Sequence, residues 1–126
     1  MKMINDKTLF IGGDEYNGIY SIDVDNYQVT SLIKDKNIVS ISTIINLNNG
    51  NILIGCKKED KTKKDNISYS YSLVEYEYKN KNKTLIKIRE NDKAHNNIIT
   101  GLINLKHNDI NEIVSSSLDQ EIKFWI

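Results

Sequence analysis

A short apolar run returns along this chain at a spacing that restricts its fold more than any other feature. Leu9-Phe10-Ile11-Gly12-Gly13 comes back as Ile52-Leu53-Ile54-Gly55-Cys56 after 43 residues, and again as Ile113-Val114-Ser115-Ser116-Ser117 after 61 more. Such a period marks a supersecondary unit copied along the chain, each copy burying its apolar face against its neighbours. The excess in the second shift coincides with Lys57 to Ser68 (KKEDKTKKDNIS), a polar, charge-dense insertion in the middle unit. A second register agrees with the first, because Ile45-Asn46-Leu47 corresponds to Ile103-Asn104-Leu105, 58 residues on.

The units read as β structure. Apolar residues fall in short, β-branched runs such as Ile19 to Val24, Ile38 to Ile45, Leu73 to Tyr78 and Ile98 to Leu105. No window sustains the i, i+3, i+4, i+7 spacing of a helix. Tyr76-Glu77-Tyr78 and Ile86-Lys87-Ile88 alternate as half-buried strands do. The chain has no proline, so its turns rest on Gly, Asn and Asp, as at Asp14 to Gly18 and Asn48-Asn49-Gly50-Asn51. The punctuation predicts an antiparallel meander of about ten strands.

Composition narrows the partners. Lys plus Arg equals Asp plus Glu at 17 each, so no summed field favours a phosphate backbone or an anionic membrane surface. Neither nucleic acid nor membrane is an expected partner. The apolar runs are far shorter than the roughly 20 residues that span a bilayer, and the first residues lack the apolar run of a signal peptide. A single cysteine, Cys56, cannot form an internal disulfide. These features predict a cytoplasmic protein in a reducing compartment.

The last unit carries a recognisable set of residues: His95-Asn96-Asn97-Ile98-Ile99, then Ser115-Ser116-Ser117-Leu118-Asp119, then Ile122-Lys123-Phe124-Trp125. It resembles the WD repeat, whose blades open near a Gly-His pair and carry Ser or Thr on strand b, Asp in the b–c turn and Trp near the end of strand c. The 43-residue shift also lies within the 40 to 45 residues of such a blade. The resemblance implies an all-β fold of antiparallel four-stranded blades from a β-propeller, about two and a half of them. Residues 1–36 would supply strands b to d of one blade, 37–94 a full blade with its insertion at 57–68, and 95–126 strands a to c of a third.

The chemistry of the foursome stands apart from the name. A buried Trp125 needs an acceptor for its single N–H. A tight hairpin centred on Asp119 brings Trp125 nearly opposite Ile113, which makes Ser115 the closer same-face hydroxyl compared with Ser117. His95 can accept from Ser115 on one ring nitrogen and donate to Asp119 from the other. This network of His95, Ser115, Asp119 and Trp125 is expected to be structural. A Ser-His-Asp hydrolase would need an exposed nucleophile on a strained turn beside an oxyanion hole, and the chain has no G-x-S-x-G element.

The other units depart from the pattern. Ala94 precedes the histidine and Ile126 follows the tryptophan; Asn37 stands at the histidine position of the middle unit, Tyr76 at or near its tryptophan position, and Ile22-Asp23 where Trp-Asp would fall in the first. Cys56 has no metal-spaced neighbours and reads as a buried small hydrophobe. Asp23-Val24-Asp25 and Asn108-Asp109 read as turn formers, because the glycine and distal glutamate of a calcium loop are missing. Tyr69, Tyr71, Tyr76 and Tyr78 divide between packing and an interface role, and Lys57 to Ser68 is expected to be a mobile solvated loop.

The resulting expectation is a non-catalytic protein–protein interaction scaffold that uses no cofactor or metal. Beginning on strand b and stopping on strand c, it would be a piece of a larger propeller, or would complete a ring by self-association. The competing expectation is a self-contained small β-sandwich or barrel with an unrelated binding or enzymatic role.

Overall fold

The computed structural model describes residues 1–4, 7–13, 18–60, 67–79, 81–107 and 110–125. Those residues form eleven strands: β1 (Lys2–Met3), β2 (Thr8–Ile11), β3 (Gly18–Asp23), β4 (Val29–Lys34), β5 (Ile38–Asn46), β6 (Ile52–Asp60), β7 (Ser68–Lys79), β8 (Thr84–His95), β9 (Ile99–His107), β10 (Ile110–Ser117) and β11 (Ile122–Trp125). They pair only with chain neighbours, giving three antiparallel meanders in the orders β1-β2-β3-β4, β5-β6-β7-β8 and β11-β10-β9. The fold is all-β, and among the described residues no helix is long and apolar enough to cross a membrane.

The three sheets stack with the middle one inside. Strand alternation sends Ile52, Ile54 and Cys56 of β6 toward the first sheet, into a core with Phe10, Ile19, Ile41, Val74 and Tyr76. It sends Leu53 and, across from Gly55, Leu73 the other way, into a second core with Leu47, Ala94, Ile99 and Leu102. Two glycines set how closely the sheets approach. A Cβ on Gly12 would lie 2.9 Å from Ile41 Cβ, and one on Gly55 would lie 3.0 Å from Ile99 Cγ2. Gly12 and Gly55 are separated by the 43-residue shift, and Ile41 and Ile99 by the 58-residue shift. Both inter-sheet contacts are therefore the same contact, made twice.

Three local expectations change. The first sheet has four strands, not three, because Lys2 and Met3 pair with Phe10 and Leu9. A two-residue strand leaves no periodicity to detect; the Ile4 N–H donates to the Thr8 carbonyl at 2.9 Å and Asn46 Nδ2 donates to the Met3 carbonyl at 3.0 Å, which hold it in place. The insertion is not a loop from its first residue. Lys57 to Asp60 continue β6 in unbroken register with Ser68 to Tyr71 of β7, and only residues 61–66 fall outside the described ones. Cross-strand contacts take the place of apolar alternation there: Lys57 Nζ sits 4.2 Å from the Tyr69 ring centroid, and Lys58 pairs with Glu90. Finally, β8 runs on past the alternating Ile86-Lys87-Ile88 as far as His95. Its polar second half is held by ion pairs of Arg89 with Glu75 and of Glu90 with Lys58 and Lys87.

Candidate functional site

Two hairpin features bring the distant residues together. The register β10–β11 sets Ile113 opposite Trp125 and Ser115 opposite Lys123, so Trp125, Ile113 and Ser115 share the face that meets the middle sheet. The turn between those strands carries Asp119 back toward the end of β8, where His95 is buried.

The four side chains form one chain of hydrogen bonds. Trp125 Nε1 donates to Ser115 Oγ at 2.9 Å. Ser115 Oγ lies 2.6 Å from His95 Nε2, and His95 Nδ1 lies 2.8 Å from Asp119 Oδ2. With its lone pairs receiving Trp125, the Ser115 hydroxyl gives its proton to Nε2, which leaves Nδ1–H as donor to the carboxylate. Asp119 accepts further N–H groups, from Asn96 to Oδ2 and from Glu121 to Oδ1, each at 2.9 Å. Desolvation alone would raise its carboxyl, but those two N–H groups and the His95 ring outweigh it and hold Asp119 well below the usual carboxylate range.

The sequence reading passed over the loop clamp around this chain. Ser117 Oγ accepts the Asp119 N–H at 3.1 Å and donates to the Asn97 carbonyl at 3.0 Å, so the neighbouring serine fixes the turn while Ser115 fixes the ring. A serine two residues before an aspartate in a turn is the signal for this ST-type bond. Lys123 Nζ adds a bond to the Ala94 carbonyl at 2.8 Å. The β8–β9 loop and the β10–β11 hairpin are thereby held as one unit.

What this arrangement can do chemically follows from its burial. Ser115 has no exposed surface, its oxygen is engaged on both sides, and no substrate carbonyl can reach it. Ligand atoms of His95, Asp119 and Glu121 lie within 4.8 Å of one another, yet both ring nitrogens are already hydrogen-bonded, so a cation would have to break the network to bind.

The other sheets repeat the register without the polar atoms. Tyr76 sits opposite Ile52 and Ile22 opposite Leu9, as Trp125 sits opposite Ile113. The position of Ser115 is taken by Ile54 in the middle sheet and Ile11 in the first; at Ile54, which is buried in the first core, apolar packing replaces hydrogen bonding. Asn37 acts through its backbone, its carbonyl accepting the Glu59 N–H at 2.8 Å. Asp23 Oδ1 accepts the Asp25 N–H at 2.9 Å within its turn, while Asn108 and Asp109 lie outside the described residues. Of the tyrosines, Tyr76 is buried, Tyr69 is exposed, and Tyr78 stacks edge-on against Phe10 with ring centroids 5.1 Å apart.

A cavity of about 190 Å³ opens beside Trp125, lined by Leu53 and Leu73 of the middle sheet, Ile113 of the third, and the polar Glu75, Arg89, Glu90 and Asn91. It lies next to β11, whose outer edge is unpaired among the described residues. Neither a family model, nor a curated protein, nor a solved structure matches the chain.

Proposed function

We propose that the chain is a non-catalytic protein-interaction scaffold built from consecutive blades of a WD-repeat-like propeller. The observation that carries the reading is the repeated contact: Gly12 against Ile41 and Gly55 against Ile99 stack successive sheets in one direction at one register. A stack of that kind is open-ended, and its outer faces are of the sort that further sheets cover. On the third sheet Ile103, Val114 and Phe124 form an apolar row across all three strands, with Ile103 57 % and Phe124 62 % exposed. On the first sheet Met3, Leu9, Ile22 and Val29 form the matching row. Contiguous apolar faces of this size mark interaction surfaces. The His95–Ser115–Asp119–Trp125 chain serves this scaffold by fixing a hairpin to the preceding loop, and its buried serine argues against a hydrolase.

The test is association. At micromolar concentration the chain is expected to cover its outer faces with other copies and so self-associate, or to bind a dye for exposed apolar surface. A monodisperse species of 14.5 kDa in sedimentation, unfolding cooperatively and binding no dye, overturns the open-stack reading. Labelling of Ser115 by a fluorophosphonate would overturn the non-catalytic one.

A further inference from the structure

We infer that a polar cavity between the first and second sheets is a binding site for a neutral polyol of the size of a mono- or disaccharide. The niche occurs at both inter-sheet interfaces but is furnished differently in each. In the middle sheet Glu75 pairs across the ladder with Leu53 on one side and Arg89 on the other. It is buried, with Asn51 Nδ2 donating to Oε1 at 2.8 Å and Arg89 Nε donating to Oε2. The same ladder positions in the first sheet hold Ser21, between Phe10 and Thr30, and Thr8 precedes Phe10 by two residues as Asn51 precedes Leu53. Three hydroxyls thus replace a carboxylate, a guanidinium and an amide. The shorter side chains leave a cavity of about 360 Å³, against about 190 Å³ beside the Glu75–Arg89 pair.

Ser21 is only 5 % exposed, yet among the described residues its hydroxyl has no hydrogen-bond partner and opens onto the cavity. A buried hydroxyl without a partner is costly, so the cavity's occupant must supply one. Thr30 stands directly opposite Ser21 in the ladder, which sets the two side chains about 5 Å apart and lets one bound molecule meet both. Charge makes that molecule neutral. Lys7 and Lys83 line the cavity with Asp23, and Lys7 lies 3.7 Å from Asp25, so two ammonium groups are matched by two carboxylates. Thr30 stands where the middle sheet has Arg89, which leaves no guanidinium to hold a buried anion. Gln28 and Tyr78 complete the lining. Burial raises the Tyr78 phenol, so it stays protonated and can donate. Hydroxyls, phenol and ammonium groups donate while carboxylate and amide oxygens accept, and a polyol, whose every hydroxyl does both, answers such a mixed lining with no charge of its own. The volume equals about a dozen waters at roughly 30 Å³ each, room for one or two sugar units.

The experiment is saturation-transfer NMR on the full chain with D-glucose, maltose and sucrose as probes, and with citrate as an anionic competitor. A saturable signal is expected from at least one sugar, and citrate should not displace it. Thr30→Val, which is close to isosteric and removes one hydroxyl, should weaken binding about two- to tenfold, the range of one neutral hydrogen bond. Ser21→Val puts methyl groups into the cavity beside Phe10 and should abolish the signal. Its thermal midpoint should stay level or rise, because an unpartnered hydroxyl is lost from a buried position. Should that variant fail to fold, Thr30→Val still carries the test. No saturable signal from any of the three sugars up to about 100 mM overturns the proposal, as does binding that Thr30→Val leaves unchanged. Displacement by citrate would make the niche an anion site and overturns it too. The cavity lies between two sheets whose stacking is already described, so its failure leaves the association test of the propeller reading standing.

Discussion

Replacing Gly55 by Ala tests the repeated inter-sheet contact where a ladder partner in the same sheet crowds it as well. The added methyl would lie 2.8 Å from Thr43 Cγ2, 3.0 Å from Ile99 Cγ2 and 3.1 Å from Ile99 Cβ. Thr43 is β-branched and sits directly across the ladder from Gly55, and Ile99 is buried, so neither side chain can swing away. Overpacking of this kind costs about 1–3 kcal/mol. Gly55 is not in the left-handed region, so alanine also trims the entropy of the unfolded chain, which returns about 0.4–1 kcal/mol. The net expectation is a loss of about 1–2 kcal/mol, read from urea unfolding monitored by Trp125 fluorescence. Thr43→Ser removes the nearest methyl and should recover part of the loss, a coupling that a double-mutant cycle measures. Gly12→Ala, whose Cβ would meet Ile41 Cβ at 2.9 Å, should cost a similar amount. A Gly55→Ala protein as stable as the parent, or one whose loss Thr43→Ser leaves untouched, refutes the packing.

Trp125→Ala should destabilise by about 2–3 kcal/mol, below the 3–5 typical of a fully buried ring, because Trp125 is only half-buried and Ser115 keeps its bond to His95; a loss under about 1 kcal/mol in urea unfolding followed by circular dichroism would remove the ring from the core. Burial pushes the Cys56 thiol to about 12, so a thiol reagent at pH 8 should modify it at least about a thousandfold more slowly than a free thiol until the chain unfolds, and rapid labelling of the native chain would contradict its place in the core. Acid should destabilise the fold across a definite window. Desolvation raises the Glu90 carboxyl, but hydrogen bonds from Lys58 and Lys87 outweigh it and bring it to about 2, and Glu75 is lowered likewise against its own desolvation by Asn51 and Arg89. Depressed carboxyls contribute stability above the unfolded value of 4.5 and lose it as pH falls through the folded one. The thermal midpoint should therefore fall between about pH 4.5 and 2, and Glu90→Gln should flatten that fall. An unchanged profile in the variant would show that the pairing with Lys58 is not what holds β8.

Legibility in this chain tracks the kind of force that holds each strand. Where burial of alternate apolar groups decides the structure, as in β5, β6 and β10, the period of the residues is the period of the contacts, and the shifts of 43 and 58 residues reappear as Gly12–Ile41 and Gly55–Ile99. The hydrogen-bonded site could be read for a related reason: a lone tryptophan, a histidine and an aspartate at hairpin spacing leave few ways to satisfy one N–H and one imidazole, and Ser115 is the hydroxyl on the right face. Strands held by charge were not legible. Arg89, Glu90 and Lys58 carry no β signal of their own, and their pairing across β6, β7 and β8 exists only once the sheet is formed. The same limit explains β1, whose two residues are held by Leu9 and Phe10 as ladder partners and by Asn46 from another sheet. Apolar periodicity thus specifies how the sheets stack, while ion pairs and side-chain caps, visible only in three dimensions, determine how far each strand extends.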